Sequence, residues 1–429
     1  MDTRELPVLT DEESDLIARL AVGLGTDAAR VLAYLLCRRE TDFESEPATR
    51  LAVRIGTSLN RETAATALNE LEEEGLIAAT TVRNDTRGRP PTAWYAPENT
   101  ETTVRKVDGR HAAALLEQAK AVATELGVDS FEESANPCED SATSEPLRLG
   151  LNWSPNALHA PFFAAVSTDQ YEKRGVEVAI DHYRGSGRAL DSLVSEATDV
   201  ALAGAATTIR RRDAGEPILP IALLFQRAMA VLYTTRDAFG GRFESIEQLR
   251  DRRVGMSGTS ETGLLGRLFL SQAGVLDDVT VIDLTGEEQA ALRSGRAAVV
   301  TGSFSDPRQL ETEGHTVDSL LVADQFPMYG PALVITERTL RERQPALERF
   351  LAGTVAGWAE TIEHPEAAVR AVGAGESVGE HRVFERAVER FATGSAVEKH
   401  GWGWHRAAGW ERLVTALGQA DLLEETETP

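Results

Sequence analysis

Cysteine is scarce in this sequence, and its scarcity excludes several kinds of site. Only Cys37 and Cys138 occur among 429 residues, and they lie far apart in the chain. Two isolated cysteines provide neither a disulfide framework nor the closely spaced thiolates of a metal centre. We therefore expect no structural metal and a reducing compartment.

Long hydrophobic runs are absent as well. No stretch approaches the roughly 20 apolar residues that are needed to cross a bilayer. The first residues, MDTRELPVLTDEESD, are polar and acidic, unlike a secretory signal. From this we expect a cytoplasmic protein that makes no membrane contact.

Positive charge is limited and is carried almost entirely by arginine. The chain has 68 acidic and 44 basic residues, a formal net charge of −24, and only four of the basic residues are lysines. Such a surplus repels polyanions such as DNA unless the positive charge is gathered locally. The composition resembles that of proteins from salt-loving archaea.

A segment of linker composition divides the chain. Residues 130–146 read SFEESANPCEDSATSEP, which contains several acids, no base and hardly an apolar side chain. The patterns on its two sides differ, so two bodies with different architectures are expected. The predicted boundaries give a first domain at 1–100, a connecting helix at 101–127, a linker at 128–146, a second domain at 147–423 and a tail at 424–429.

The first domain is predicted to contain helices followed by a hairpin. Apolar residues recur at helical spacing in 28–36, 47–55 and 60–74, with Asn60 at an N-cap position and Gly75 as a stop. Two strands, at 76–82 and 92–96, flank the turn-rich tip NDTRGRP. This order resembles the winged helix-turn-helix, an α+β fold of prokaryotic transcription regulators.

The resemblance implies that double-stranded DNA is a partner. A recognition helix reads bases near its N-terminal end, and wing arginines contact phosphate or the minor groove. The candidate DNA-binding residues are Asn60, Arg61, Thr63, Thr66, Arg83, Arg87 and Arg89. The alternative is a solvated hairpin whose charges serve solubility. Residues 1–100 contain eighteen acidic residues and eleven arginines, so any basic patch must be local.

The connecting helix admits two interpretations. Its apolar residues recur at three- and four-residue spacing between 112 and 126. Regulators of this kind dimerise through such a helix, which presents two recognition helices to a two-fold site. We therefore expect a homodimer, and the alternative is a helix that only packs on its own domain.

The second domain alternates extended apolar runs with helical runs. The extended runs lie at 147–151, 176–181, 199–203, 218–224, 230–235, 279–284 and 297–301. Such alternation predicts parallel sheets covered by helices on both faces, and the segment is long enough for two lobes. Ligands then bind outside the carboxyl ends of strands. The residues after the first strand are therefore the first place to seek function.

Those residues read LGLNWSPNALHAPFFAA and carry a second resemblance. Asn152, Trp153, Asn156 and His159 resemble the opening signature of the thiamine-pyrimidine family. That family includes the fungal synthase of the hydroxymethylpyrimidine precursor and bacterial transport proteins for related pyrimidines, and it is related to sulfonate and taurine receptors. Stretches from YEKRGVEVAI to GWGWHRAAGWERLVTALGQADLL extend the similarity. The resemblance implies an α/β, two-lobed fold like that of type II periplasmic binding proteins.

Four residues of the signature are candidate ligand contacts. Trp153 can stack on a flat heteroaromatic ring, whereas Asn152, Asn156 and His159 offer donors and acceptors at the ring edge. For Trp153 alone, the alternative is a core tryptophan at the end of a strand.

Three further candidates lie later in the chain. Thr259 and Ser260 precede a helix whose free amides could hold an anion, although an ordinary capped turn explains them equally well and Glu261 opposes an anion. Tyr329 is a candidate only through family topology. The cluster of Trp402, Trp404, His405 and Trp410 is expected to be packing rather than a cage.

The sequence lacks the groups that the related synthase uses for chemistry. By resemblance, Ala203 stands where that enzyme has the lysine that holds pyridoxal phosphate, and Thr207 stands at its histidine. FPMYGP occupies the place of its cysteine cluster. Because the amine that holds the cofactor and the soft ligands for iron are missing, we expect no catalytic residue, no cofactor and no enzymatic activity.

These observations lead to one main hypothesis and two alternatives. The main hypothesis is a ligand-responsive transcription regulator that senses a thiamine-pyrimidine precursor and controls genes for thiamine synthesis or uptake. The first alternative is a substrate-binding protein for a pyrimidine, a sulfonate or a taurine-like molecule, and the less favoured one is the synthase. Whether the acidic linker is a flexible tether or the two bodies dock is left open.

Overall fold

The computed structural model describes residue 9 and residues 13–40, 47–82, 90–126, 145–284, 286–373 and 379–423. Within these ranges, an N-terminal body contains five helices and three short strands. They are α1 (Ser14–Leu24), α2 (Thr26–Glu40), β1 (Ala48–Thr49), α3 (Arg50–Thr57), α4 (Arg61–Glu73), β2 (Ala78–Thr81), β3 (Thr92–Tyr95) and α5 (Thr100–Glu125).

Polar residues at the helix starts fix the ends of these elements. The side chain of Thr49 accepts from the amide of Ala52 and so caps α3. Asn60 caps α4 by accepting from the amides of the second and third helical residues, both at 2.9 Å. Gly75 follows α4 with a φ of +64°, the left-handed conformation that a helix stop requires. The helix predicted over 60–74 is confirmed.

A small core holds this body together. Buried leucines of α2 and α4, such as Leu36 and Leu68, pack with Trp94 of β3. The strand order is β1-β3-β2, with both pairings antiparallel. The indole nitrogen of Trp94 donates to Glu72 at 2.8 Å, so one of the acids that end α4 serves the fold.

The second body has two lobes. The first lobe contains β4 (Leu147–Leu151), α6 (Ala160–Ser167), β5 (Val178–His182), α7 (Ser186–Val194), β6 (Val200–Ala203), α8 (Ala205–Asp213) and β7 (Ile218–Leu223). The second contains β8 (Ala230–Thr235), α9 (Arg236–Phe239), β9 (Arg253–Met256), α10 (Glu261–Gln272), β10 (Thr280–Asp283), α11 (Glu288–Arg293), β11 (Val299–Ser303), α12 (Pro307–Thr312), β12 (Val317–Leu321) and α13 (Val322–Gln325). The chain then returns to the first lobe in β13 (Ala332–Thr336) and ends in α14 (Glu337–Glu363), α15 (Pro365–Ala371), α16 (His381–Phe391), α17 (Ser395–His400) and α18 (Ala407–Gln419).

Each lobe is built on a five-stranded sheet. The strand orders are β5-β4-β6-β13-β7 and β10-β9-β11-β8-β12. The three strands β5, β4 and β6 run parallel, as do β10, β9 and β11. Parallel neighbours end at the same edge of a sheet, so each lobe gathers three loops at one edge.

The prediction of purely parallel sheets is wrong in one respect. β13 pairs antiparallel with β6 and β7, and β8 pairs antiparallel with β11 and β12. These two strands are the first that the chain forms after each passage between the lobes, so each enters its sheet from the opposite end. The predicted extended runs also omit β9, β12 and β13. RVGM and VDSLL contain few consecutive apolar residues, whereas ALVIT of β13 is an apolar run typical of a buried strand.

Helix α5 joins the two bodies. Its apolar residues, including Leu115, Leu116 and Val122, are buried in the same core as the first lobe, where α5 contacts β7 and α14. The face that was predicted to form a dimer is therefore covered within the chain, and packing on its own chain is the interpretation that fits. The two bodies are therefore docked on each other through α5, in addition to being connected by the linker.

A buried carboxylate lies at this junction. Asp108 of α5 is fully buried and pairs with Arg19 of α1 at 2.6 Å and with Arg174 of the first lobe at 2.5 Å. Both guanidinium groups are largely shielded from solvent. Removing one partner of a buried ion pair leaves uncompensated charge, which costs more free energy than the intact pair contributes.

Stability should therefore depend on Asp108. We expect Asp108→Asn to lower the free energy of unfolding by about 3 kcal/mol, because two guanidinium groups would remain buried without a counter-charge. Urea denaturation followed by circular dichroism measures this change.

A matched control is available on the same helix. Glu101 pairs with Arg105 at the exposed surface of α5, and exposed pairs contribute little to stability. Glu101→Gln should leave the urea midpoint unchanged within error. Equal losses in the two variants would contradict the role assigned to Asp108.

Candidate functional site

The loops at the carboxyl edges of the two parallel strand groups face one another across the interlobe cleft. In the first lobe they follow β4, β5 and β6, and in the second they follow β9, β10 and β11. A direct contact between the first turn of α8, which follows β6, and the start of α10 shows that the two edges meet. The cleft is therefore the candidate site.

Trp153 presents an aromatic surface at the first of these loops. It lies two residues beyond the end of β4, and 55% of its side chain is exposed. Most other tryptophans of the described chain are buried, among them Trp358, Trp402 and Trp410. A large exposed indole at the edge where ligands bind an α/β sheet is available for stacking. The core interpretation of Trp153 does not fit.

Asn156 and His159 shape the loop that carries Trp153. The side-chain oxygen of Asn156 accepts from the Leu158 amide at 3.0 Å, and its amide group donates to the Ser154 carbonyl at 3.0 Å. Nδ1 of His159 accepts from the backbone amide of Asn156 at 3.3 Å. Because these groups are used within the loop, both residues act as positioning residues in this structure.

The protonation of His159 follows from its surroundings. The ring is buried, and this desolvation, together with the charge of His182, lowers its pKa to about 4. Since Nδ1 accepts a hydrogen bond, the proton of the neutral ring is on Nε2, which lies 3.4 Å from Oδ1 of Asn152. The imidazole is therefore neutral near pH 7 and orients the Asn152 amide beside Trp153.

The candidates of the second lobe are placed at the start of α10. Ser260 is the N-cap residue, and its hydroxyl accepts from the Gly263 amide at 3.0 Å. Thr259 is exposed, and its amide donates to the hydroxyl of Ser257 at 3.3 Å. The arrangement is that of a capped turn, and Thr259 is the side chain that it leaves exposed.

Tyr329 lies in the second passage between the lobes. Its hydroxyl pairs with the backbone of Arg406, donating to the carbonyl at 3.2 Å and accepting from the amide at 3.0 Å. Its ring meets Trp410 edge-on, with 5.1 Å between centroids. These contacts tie Tyr329 to the C-terminal segment rather than to the other candidates.

The aromatic cluster of the C-terminal segment forms packing contacts. Trp402, His405 and Trp410 are buried, and the indole of Trp410 donates to Nδ1 of His405 at 3.1 Å. Burial lowers the pKa of His405 to about 4. The prediction of packing rather than a cage is confirmed for these three residues.

One cleft residue was not predicted as a contact between the lobes. The carboxylate of Glu261, in the first turn of α10, accepts from the amide of Ala206 at 3.0 Å and from the amide and hydroxyl of Thr207 at 2.8 and 2.6 Å. Burial raises the pKa of Glu261, and these hydrogen bonds act in the opposite direction. Sequence spacing gives no signal for this contact, because the partners lie 54 and 55 residues apart.

The positions compared with the synthase have other uses here. Ala203 is buried at the end of β6, and Thr207 holds Glu261. Within the described residues, no group of three or more His, Cys, Asp or Glu side chains could hold a metal ion. In the same residues, no helix is long and apolar enough to cross a membrane.

The candidate DNA-binding residues lie partly within the described structure. Arg61 and Thr66 are exposed on α4, Thr63 is half-buried, and Asn60 is exposed but uses its side-chain oxygen as a cap. The wing residues Arg83, Arg87 and Arg89 fall outside the described residues.

Known proteins are similar to the second body of this chain. Residues 156–368 match the family described as NMT1/THI5 like. A riboflavin-binding protein, RibY, of Chloroflexus aurantiacus is 24% identical over 53% of this chain, and the match spans 65% of that protein. A formylaminopyrimidine-binding protein of Halalkalibacterium halodurans is 23% identical over 68% of this chain and 90% of its own length.

Solved structures agree on the fold. The periplasmic aliphatic sulphonate binding protein SsuA of Escherichia coli superposes with a TM-score of 0.52 at 16% identity, covering 66% of this chain and 94% of that one. The alkanesulfonate-binding protein SsuA of Xanthomonas axonopodis gives a TM-score of 0.53 at 13% identity, covering 65% of this chain and 94% of that one. The relatives named here are binding proteins rather than enzymes. The second body of this chain thus has the two-lobed fold of the periplasmic binding proteins and is similar to the NMT1/THI5-like family over residues 156–368.

Proposed function

We propose that this chain is a small-molecule binding protein whose cleft takes a planar nitrogen heterocycle, of which a pyrimidine is the simplest case. The observation that carries the proposal is the exposed indole of Trp153, held at the edge of the first lobe by the loop that Asn156 and His159 fix. The two curated relatives bind, by name, riboflavin and a formylaminopyrimidine. Both names denote molecules with a flat pyrimidine ring, which an indole can stack upon.

The polar surroundings of Trp153 suit such a ring. The side chain of Asn152 is only partly buried and lies within reach of the neutral His159, so its amide is held in one orientation. From the second lobe, the exposed Thr259 at the start of α10 is the candidate that would add a hydroxyl when the lobes enclose a ligand. A site that supplies fixed donors and acceptors discriminates against rings that cannot pair with them.

Binding should depend on the indole. We expect Trp153→Ala to weaken the binding of hydroxymethylpyrimidine or riboflavin about tenfold, since stacking contributes roughly 0.5–1.5 kcal/mol beyond the area that the indole buries. Isothermal titration calorimetry of parent and variant measures the difference.

Tyr95 gives a matched control. It is an exposed aromatic residue of the N-terminal body, so Tyr95→Ala should bind the same ligand as the parent does. Parent-like affinity in Trp153→Ala would remove the stacking role. If the parent bound neither heterocycle, the proposed ligand class would be wrong.

A second candidate function is a regulator in which the same cleft controls DNA binding by the N-terminal body. The comparisons support the binding-protein alternative better than this hypothesis, because the relatives named above are small-molecule binding proteins. What favours the regulator is the element order of the N-terminal body, in which α3 and α4 precede the antiparallel pair of β2 and β3.

One segment offers a route for coupling in such a regulator. Residues 401–406 contact the N-terminal body, where the Trp402 amide donates to the Val22 carbonyl at 2.7 Å and His111 pairs with the Trp402 carbonyl at 2.6 Å. The same segment contacts the first passage between the lobes, where Gln226 donates to the Trp404 carbonyl at 3.0 Å. A movement of the lobes would therefore act on α1 and α5 directly.

The regulator hypothesis has its own test. We expect Arg61→Ala to weaken retardation of a promoter fragment from the chain's own gene about tenfold, because Arg61 stands exposed at the start of α4 where bases are read. Electrophoretic mobility shifts measure it, at a stated salt concentration because affinity for DNA falls with salt.

The charge-matched control is Arg242→Ala in the second lobe, where the arginine is exposed. This variant should retard the fragment as the parent does. Equal retardation by Arg61→Ala and the parent would count against DNA reading by α4, while the small-molecule proposal would stand.

A further inference from the structure

We propose that Glu261 determines the charge of the ligands that the cleft accepts: its carboxylate occupies the start of α8 across the interlobe boundary, holds the lobes closed and excludes anionic groups from that position. The inference deepens the proposed binding function and rests on the same cleft.

The first support is that α8 depends on the other lobe for its cap. Its N-cap residue is Gly204, which has no side chain to satisfy the free amides of the first turn. The second and third helical residues, Ala206 and Thr207, donate these amides to Glu261. The carboxylate thus does what an N-cap aspartate does in other helices, but it comes from the second lobe.

The second support is the space at Gly204. Its φ of −65° and ψ of 145° are values that any residue can adopt, so the backbone does not require glycine. A Cβ at this position would lie 2.1 Å from Cδ and 2.4 Å from Cγ of Glu261. Glycine at 204 is therefore explained by the close approach of the Glu261 side chain.

The third support is the strength of the contact. A carboxylate that accepts three hydrogen bonds, two from amides at the positive end of a helix, is held more firmly than an exposed ion pair. The contact joins α10 of the second lobe to α8 of the first, so it stabilises the closed arrangement in the absence of any ligand. If the lobes opened, the Glu261 carboxylate and the α8 amides would lose these hydrogen bonds and would be solvated by water instead.

The consequence concerns ligand charge. A sulfonate, carboxylate or phosphate group would need the same amides and would meet a negative charge already seated there, and like charges in such proximity are costly. A neutral heterocycle that stacks on Trp153 does not need hydrogen bonds from these amides. The chain should therefore bind neutral rings and reject small anions. Removal of the Glu261 carboxylate should allow small anions to bind.

The experiment compares the full-length parent with Glu261→Ala, using sulfate and methanesulfonate as probes in calorimetry at constant ionic strength. The variant should bind the anions at least about tenfold more tightly than the parent. Small-angle scattering without ligand should give a larger radius of gyration for the variant, and sulfate should restore the parent value.

Three further variants sharpen the comparison. Gly204→Val displaces the carboxylate by volume without changing the charge, so it should open the lobes as Glu261→Ala does. Glu244→Gln removes an exposed carboxylate of the second lobe and should behave as the parent. If Glu261→Ala does not fold, Glu261→Ser replaces it with the same expectations, because the short serine side chain neither carries the charge nor reaches the amides of α8.

Two results would overturn the proposal: a parent that binds sulfate as tightly as the variant, or a ligand-free variant as compact as the parent. The outcome is separable from the heterocycle test. Gain of sulfate binding in a protein that takes no pyrimidine would support the role of Glu261 while refuting the proposed ligand class.

Discussion

The burial of α5 against the first lobe is the interaction on which the arrangement of the chain depends. From Ala112 onwards its apolar face, together with Val22 of α1, belongs to the core of the second body, whereas the rest of the N-terminal body has a core of its own. A helix of 26 residues that packs along β7 and α14 fixes the orientation of both bodies at once. Burial of this much apolar surface is the dominant favourable term in such a junction, and the Asp108 ion pairs add a geometric constraint.

The cleft depends in turn on strand direction. Three parallel strands in each lobe bring their following loops to a common edge, and the two edges meet through Glu261. The two passages between the lobes lie side by side, joined by backbone hydrogen bonds, and both contact residues 401–406. The architecture therefore puts the interlobe passages and the junction with the N-terminal body in one continuous set of contacts.

Local patterns allowed much of this to be predicted. Helix α4 followed from its apolar spacing and from Asn60 as a cap, and most strands followed from short apolar runs bounded by turns. The exposure of Trp153 followed from the family signature in which it stands, whereas its place after β4 alone favoured a core tryptophan. What the sequence could not show were contacts between distant residues: the capping of α8 by Glu261, and the covering of α5 by the first lobe. Periodicity identifies an apolar face but not the surface that covers it, which is why α5 was predicted to dimerise.

The backbone bond from Trp402 to Val22 has a consequence for how far the two bodies can be treated as separate modules. Residues 401–406 lie late in the chain, yet they contact α1 and α5 of the N-terminal body. If the two bodies were produced as separate polypeptides, each would expose apolar surface and main-chain groups that the intact chain covers. An exchange of either body for an unrelated one would therefore lose this shared interface.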